Sequence, residues 1–185
     1  MIECSRVDAI KRMNKPARLA LVVSKSEGSR PNIITLQWFM HTSFEPPMFA
    51  ISIKQTRFSY KLLSENRKFV LAIPSTKMAE QTLACGITSG RDIDKIKEFN
   101  IKVGRGKLSD IPILLDAVAN FECKTISQIR SGDHTIFIGE VKYSWQNENT
   151  KLKPLLSVPY DRNYEVLARD GRYILGMVKR NKLKG

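Results

Sequence analysis

Cysteine and histidine are scarce in this chain. The three cysteines, Cys4, Cys85 and Cys123, stand far apart with no CxxC, and the two histidines, His41 and His134, are equally distant. An odd, widely spaced set argues against a disulfide framework. The missing ligand spacing argues against a structural zinc site, so no metal is expected. Long apolar runs are lacking too. The longest mainly apolar stretch, 33–40, is broken by Thr35 and Gln37, well short of the ~20 residues of a membrane span. The opening MIECSRVDAIKRMNK has no apolar core of a secretory signal. A soluble, cytoplasmic protein with no membrane partner is expected. The signatures of several enzyme classes are also absent. There is no GxSxG, HExxH or GxxxxGK[ST]. Gly104-Arg105-Gly106 gives only the start of a dinucleotide fingerprint, with Ser109 where its last glycine would stand. A nucleophile elbow, a zinc protease helix, a P-loop and a Rossmann turn are therefore unsupported.

What is present is the material of one folded domain over residues 1–185, 42% hydrophobic and 26% charged. Such a length supports a core without covalent staples. Lys and Arg total 31 against 18 Asp and Glu, a formal net charge of +13. That excess raises a nucleic-acid reading. However, basic residues are scattered, and the one compact cluster is the tail Lys179, Arg180, Lys182 and Lys184. No RNP strand, recognition helix or zinc finger accompanies them, so nucleic acid is disfavoured. A basic surface of this kind attracts phosphorylated cofactors and acidic electron-transfer proteins.

Along the chain, residues 5–13 read as a short helix capped by Ser5 and ended before Pro16. The run LALVV, the turn SEGSRPN and IITLQWFM read as a hairpin over 18–40, and MFAISIK as a third strand. TRFSYKLLSENRK pairs Phe58 with Leu62 on one helical face, with Thr56 or Ser59 as cap. FVLAIP is a fourth strand. STKMAEQTLA is a second helix opened by Ser75 or Thr76, and CGITSGRDIDK a polar loop in which Cys85 is expected to be exposed. AVANFECKTI and HTIFIGEVKYSW alternate with period two around Gly132-Asp133, the pattern of a long antiparallel hairpin. In the first run Asn120, Glu122 and Lys124 fall opposite Ala119, Phe121 and Cys123. Short strands near 155–158 and 173–177 follow. At least six strands with two short helices suggest a barrel whose openings the helices cover, rather than a βαβ sheet.

Four segments carry chemistry. The strand-to-helix joint at 54–59 sets Thr56, Arg57 and Ser59 around a helix start, where free amides and the positive dipole end suit a phosphate. The loop Ser89-Gly90-Arg91-Asp92 offers similar groups. The strand PNIITLQWFM can present backbone groups to the polar edge of a flat heterocycle, with Thr35 and Trp38 adding a hydroxyl and a wall. His134 follows a tight turn at the head of a long strand.

In order and spacing, RLALVVSKSEGSRPNIITLQWFM, SFEPPMFAISI, TRFSYKLL, FVLAIPS, SGRDIDK and SGDHTIFIGEV resemble the flavin reductase-like family of FMN-binding split β-barrels, which includes flavoredoxin. The likeness covers about 18–145 and leaves 146–185 as a C-terminal extension without assigned roles. It implies a mainly β (α+β) homodimer with short flanking helices and FMN near the interface. Asn32 and the strand Thr35, Leu36, Gln37 and Trp38 would meet the ring and ribityl chain, with Ser52 on the next strand. Thr56, Arg57 and Ser59 would hold the phosphate. Ser89, Gly90, Arg91, Asp92 and Lys95 would form a loop closing over the cofactor, and His134 would sit where nicotinamide stacks.

The expected activity is reduction of flavin by NADH or NADPH, with a flavin-dependent monooxygenase or an acidic electron-transfer protein as partner. The alternative is a flavoredoxin-like electron carrier without its own nicotinamide site. A basic nucleic-acid-binding domain is the remote third reading.

Overall fold

The computed structural model of the protein describes residues 2–13, 15–159, 163–171 and 173–179. The tail cluster from Arg180 onward lies outside them. In chain order the elements are α1 (Arg6–Met13), β1 (Ala17–Arg18), β2 (Ala20–Ser24), β3 (Asn32–Leu36), β4 (Phe39–Phe44), β5 (Pro47–Lys54), α2 (Phe58–Glu65) and β6 (Lys68–Ile73). A 3-10 turn (Thr76–Met78) leads into α3 (Ala79–Ile87), followed by α4 (Lys95–Glu98), β7 (Val103–Gly104), β8 (Ile113–Leu114), β9 (Ala119–Ser131) and β10 (His134–Gln146). The chain closes with β11 (Leu156–Ser157), β12 (Tyr164–Asp170) and β13 (Tyr173–Val178).

Seven strands form one antiparallel sheet in the order β3-β2-β6-β9-β10-β5-β4. Its two edge strands, β3 and β4, are consecutive in sequence and joined only by Gln37 and Trp38. So short a link, at about 3.5 Å per residue, brings opposite edges of the sheet together at one corner. The sheet therefore curls into a barrel that is closed there and split elsewhere. The expected strand IITLQWFM is in fact two, because its middle turns this corner.

Both faces of the central strands are buried, which explains the unbroken apolar run of β2. Val22, Leu71, Phe69 and Phe137 fill the barrel. Fully burying each of the two phenylalanines contributes about 1.5–3 kcal/mol. On the other face Leu21, Val23, Val70 and Ala72 pack beneath Met78, Cys85, Ile111 and Leu114. Cys85 is thus buried rather than exposed, because α3 continues through it to Ile87. Ser75 precedes the 3-10 turn but makes no side-chain cap.

The β9–β10 hairpin forms around Gly132 as its alternation requires, with Gly132 at φ +61°. On its polar face Lys124 is exposed, but the other two polar residues are buried. Asn120 is 5% and Glu122 1% exposed. Asn120 bonds to both the amide and the carbonyl of Leu114. The Glu122 carboxylate accepts from the amides of Lys107 and Leu108 and from Trp145 Nε1. The segment 104–114 folds back over these two residues and satisfies them.

The three C-terminal strands and the N-terminal β1 build a second sheet, β1-β11-β13-β12. Leu155, Ala168 and Leu175 pack it against Ala79 and Leu83 of α3. The exposed strand β12 carries too many polar residues to show in the sequence pattern. No helix among the described residues is long and apolar enough to cross a membrane.

Candidate functional site

The corner where β3 reaches its end is held open by packing on both sides. The Thr35 hydroxyl donates to the Thr82 carbonyl at 2.6 Å, fixing α3 along the free edge of β3. A Cβ on Gly86 would stand 3.3 Å from the Thr35 Cβ, so the helix comes this close only because that position is glycine. Farther along the seam, Lys95 Nζ donates to the carbonyls of Ile33 (2.7 Å) and Cys85 (2.8 Å). Because Ile33 turns its carbonyl to the free edge, strand alternation turns the backbone groups of Thr35 the same way. The edge is thus covered at Ile33 and passes next to a cleft at Thr35.

That cleft has a volume of about 370 Å³ and is lined by Thr35, Leu36, Gln37 and Trp38 from the β3–β4 corner, Ser52 and Lys54 from β5, and His134 from β10. Leu19, Leu83, Tyr173 and Leu175 complete its apolar side. The size and the mixture of apolar wall with a few polar groups suit a small organic ligand. Ser52 donates its amide to the Trp38 carbonyl at 3.0 Å, which fixes the corner. Trp38 is 53% exposed, and the His134 ring lies tilted on it with centroids 4.8 Å apart. His134 Nδ1 shares a 2.6 Å hydrogen bond with Asp133, and that bond holds the Asp133 carboxyl below its ordinary range.

A second hollow of about 220 Å³ shares Ile34, Arg57, Gly86 and Ile87 with the first. Asn32, Thr56, Ser59, Ser89, Gly90, Arg91 and Lys95 line it. Here α2 begins at Phe58 after Arg57, which supplies no side-chain cap. The first amides of a helix without such a cap are an anion site in waiting. Buried Asn32 donates to Ser59 Oγ at 2.8 Å, while its Oδ1 has no hydrogen-bond partner among the described residues. Lys95 is only 3% exposed. Burial, aided by the positive charge of Arg57, holds its ammonium below the usual lysine range. Among the described residues no carboxylate pairs with it. A buried cation next to a second cation, neither with an ion pair among the described residues, suits an anion from outside the chain.

Sequence reasoning therefore brings to one continuous cleft Asn32, Thr35, Leu36, Gln37, Trp38, Ser52, Thr56, Arg57, Ser59, Ser89, Gly90, Arg91, Lys95 and His134. Asp92 is the exception. It is exposed, lines neither hollow, and donates its amide to the Ser89 carbonyl. Lys95 does not belong to a loop, as the sequence suggested, but opens α4, whose cap is Asp94. Lys54, Phe58, Gly86, Thr82, Tyr173 and Leu175 were missed. The periodicity of α3 could have revealed Gly86, whereas Tyr173 and Leu175 reach the cleft only through the second sheet.

The profile of the family described as "Flavin reductase like domain" matches residues 13–168. An uncharacterized protein of Archaeoglobus fulgidus is 30% identical over 126 residues, 68% of this chain and 70% of its own. The NADH-dependent flavin reductase StyB of Pseudomonas fluorescens is 27% identical, with 75% of this chain and 76% of StyB aligned. The chain also superposes on an FMN-binding protein of Thermus thermophilus solved with p-hydroxybenzaldehyde (TM-score 0.71, 27% identity, 89% and 88% coverage). A further match is the flavoredoxin of Desulfovibrio vulgaris (TM-score 0.72, 27% identity, 92% of each chain). The protein belongs to the flavin reductase like domain family.

Proposed function

We propose that the protein binds FMN in this cleft and catalyses hydride transfer from NADH or NADPH to flavin. The observation that carries the reading is the pair of cations, Lys95 and Arg57, without carboxylate partners at the uncapped start of α2. The residues present fit the group. The phosphate would be held by the α2 amides with Thr56, Arg57 and Ser59, under the loop of Ser89, Gly90 and Arg91, with Lys95 beneath. Asn32, anchored to Ser59, would border the ribityl chain. The β3 edge from Thr35 to Trp38, with Ser52, would border the ring, and Asp92 would shape the loop without touching cofactor. When bound, FMN supplies the two-electron redox chemistry. Trp38 and His134 wall the mouth where a nicotinamide ring would lie, keep water off it and orient it. The cationic corner also favours an anionic ligand over a neutral one.

The test is anaerobic mixing of protein, FMN and either nucleotide. Bleaching of flavin absorption above the uncatalysed rate is expected, and its absence with both nucleotides would remove the enzymatic claim. The likeness to flavoredoxin and the +13 charge favour one second reading, an electron carrier loaded by an acidic protein donor. A carrier is reduced by such a donor but by neither nucleotide. The reductase reading makes a flavin-dependent monooxygenase a consumer of the product. Its setting is the cytoplasm, where the free thiols of Cys4, Cys85 and Cys123 persist.

A further inference from the structure

Arg30 has no role in the reading so far, yet it governs the loop above the anion corner. It lies in the turn between β2 and β3 and donates from Nη2 to the carbonyls of Gly90 (3.1 Å) and Arg91 (3.2 Å). One guanidinium nitrogen shared between two successive carbonyls ties that stretch of the loop to the β2–β3 turn. From the other side Gly90 rests on Asn32 so closely that an added Cβ would fall 2.0 Å from Oδ1. The loop is therefore pinned between Arg30 and Asn32. From this position Arg91 reaches Phe58, the first residue of α2, with its guanidinium carbon 5.7 Å from the ring centroid. Arg91 and Phe58 both line the smaller hollow, so this cation–π contact bridges the loop and the helix that enclose it.

We propose that Arg30 and Arg91 make this corner selective for a flavin monophosphate over a flavin dinucleotide. The inference rests on the flavin reading and deepens it. A monophosphate terminates inside the hollow, among the α2 amides, Thr56 and Ser59. A dinucleotide carries a second phosphate and an adenosine beyond that point, so the hollow has to open between loop and helix, where Arg91 rests on Phe58. Arg91 is the specificity residue, and Arg30 is a positioning residue that acts through the loop. The cost of admitting the dinucleotide is the loss of the Arg91–Phe58 contact together with the strain of lifting a loop pinned at Gly90.

Full-length protein freed of flavin is titrated calorimetrically with FMN, FAD and riboflavin. FMN is expected to bind at least about tenfold more tightly than FAD, one charge-assisted contact's worth of discrimination. Arg91→Ala and Arg30→Ala each shrink the FMN-to-FAD ratio several-fold. Riboflavin, which has no phosphate, reports in every variant that the ring end of the cleft is folded. Equal affinities for FMN and FAD in the native protein, or a ratio unchanged in both alanine variants, overturn the inference while FMN binding upholds the reading beneath it. Failure of all three flavins to bind overturns both.

Discussion

Lys95 Nζ donates to the Ile33 carbonyl at 2.7 Å, tying the first residue of α4 to the free edge of β3. Its second bond, to the Cys85 carbonyl, adds α3 to the same knot. The ammonium thus organises three elements around the anion corner while its charge stays unneutralised by any described carboxylate.

The burial that lowers the affinity of Lys95 for its proton makes folding depend on pH. Between its native pKa and the ordinary 10.5, the unfolded chain keeps a proton that the native protein has shed. The unfolded state then binds more protons, so this group makes stability rise with pH in that window. Below the native pKa both states are protonated and the burial penalty is complete. Urea unfolding at a series of pH values below 10.5, in phosphate-free buffer, should show wild type gaining stability relative to Lys95→Met as pH rises. A difference independent of pH would contradict this account of Lys95.

In the proposed site Arg57 would contribute to flavin binding through the phosphate alone. Arg57→Ala should weaken FMN by about 1.5 kcal/mol, the low end for a charge-assisted bond because the side chain is exposed. Riboflavin affinity should hardly change. Equal losses for both ligands, measured by titration, would place Arg57 away from the phosphate.

The thiols differ sharply in their surroundings. Burial pushes Cys85 and Cys123 up to about 12, with the Glu122 charge adding to the effect at Cys123. Cys4 is exposed. Since the thiolate is the reactive form, iodoacetamide should add once to the native protein, at Cys4, and three times in denaturant. Rapid native alkylation of Cys85 would show that α3 opens from β3.

The barrel's edge strand presents unusual apolar surface. Trp38, Met40 and Phe44 are all exposed, Phe44 at 87%. Exposed apolar patches of this kind mark interfaces, and the homodimer that the family resemblance implies would cover this one. Light scattering should give twice the 21.1 kDa chain mass, and Phe44→Lys should shift it toward the monomer. A monomeric wild type would contradict the assignment.

Local patterns carried the sequence reading furthest where neighbours in the chain are neighbours in space. The β9–β10 hairpin and the existence of α2 were legible because alternation, a turn glycine and the Phe58–Leu62 spacing act over a few residues, whereas neither expected cap, Thr56 or Ser59, caps α2, whose N-cap is Arg57 without a side-chain bond. The burial of Glu122 was not legible, because its partners come from 107–108 and from Trp145, which no period reveals. Arg30 looked like an ordinary turn residue, since the carbonyls it holds lie sixty positions away. Most of the cleft was readable because the residues proposed to meet phosphate and ring lie in short contiguous segments. Its far wall was not, because Tyr173 and Leu175 arrive from a separate sheet.

The central claim is that a flavin monophosphate occupies the cleft with its anionic end at the start of α2. The visible absorption spectrum of the protein, recorded after incubation with FMN and removal of free ligand by desalting, tests it most directly. The account predicts retained flavin bands at about one equivalent per chain, reduced in Arg57→Ala. A colourless protein after the same treatment would contradict it.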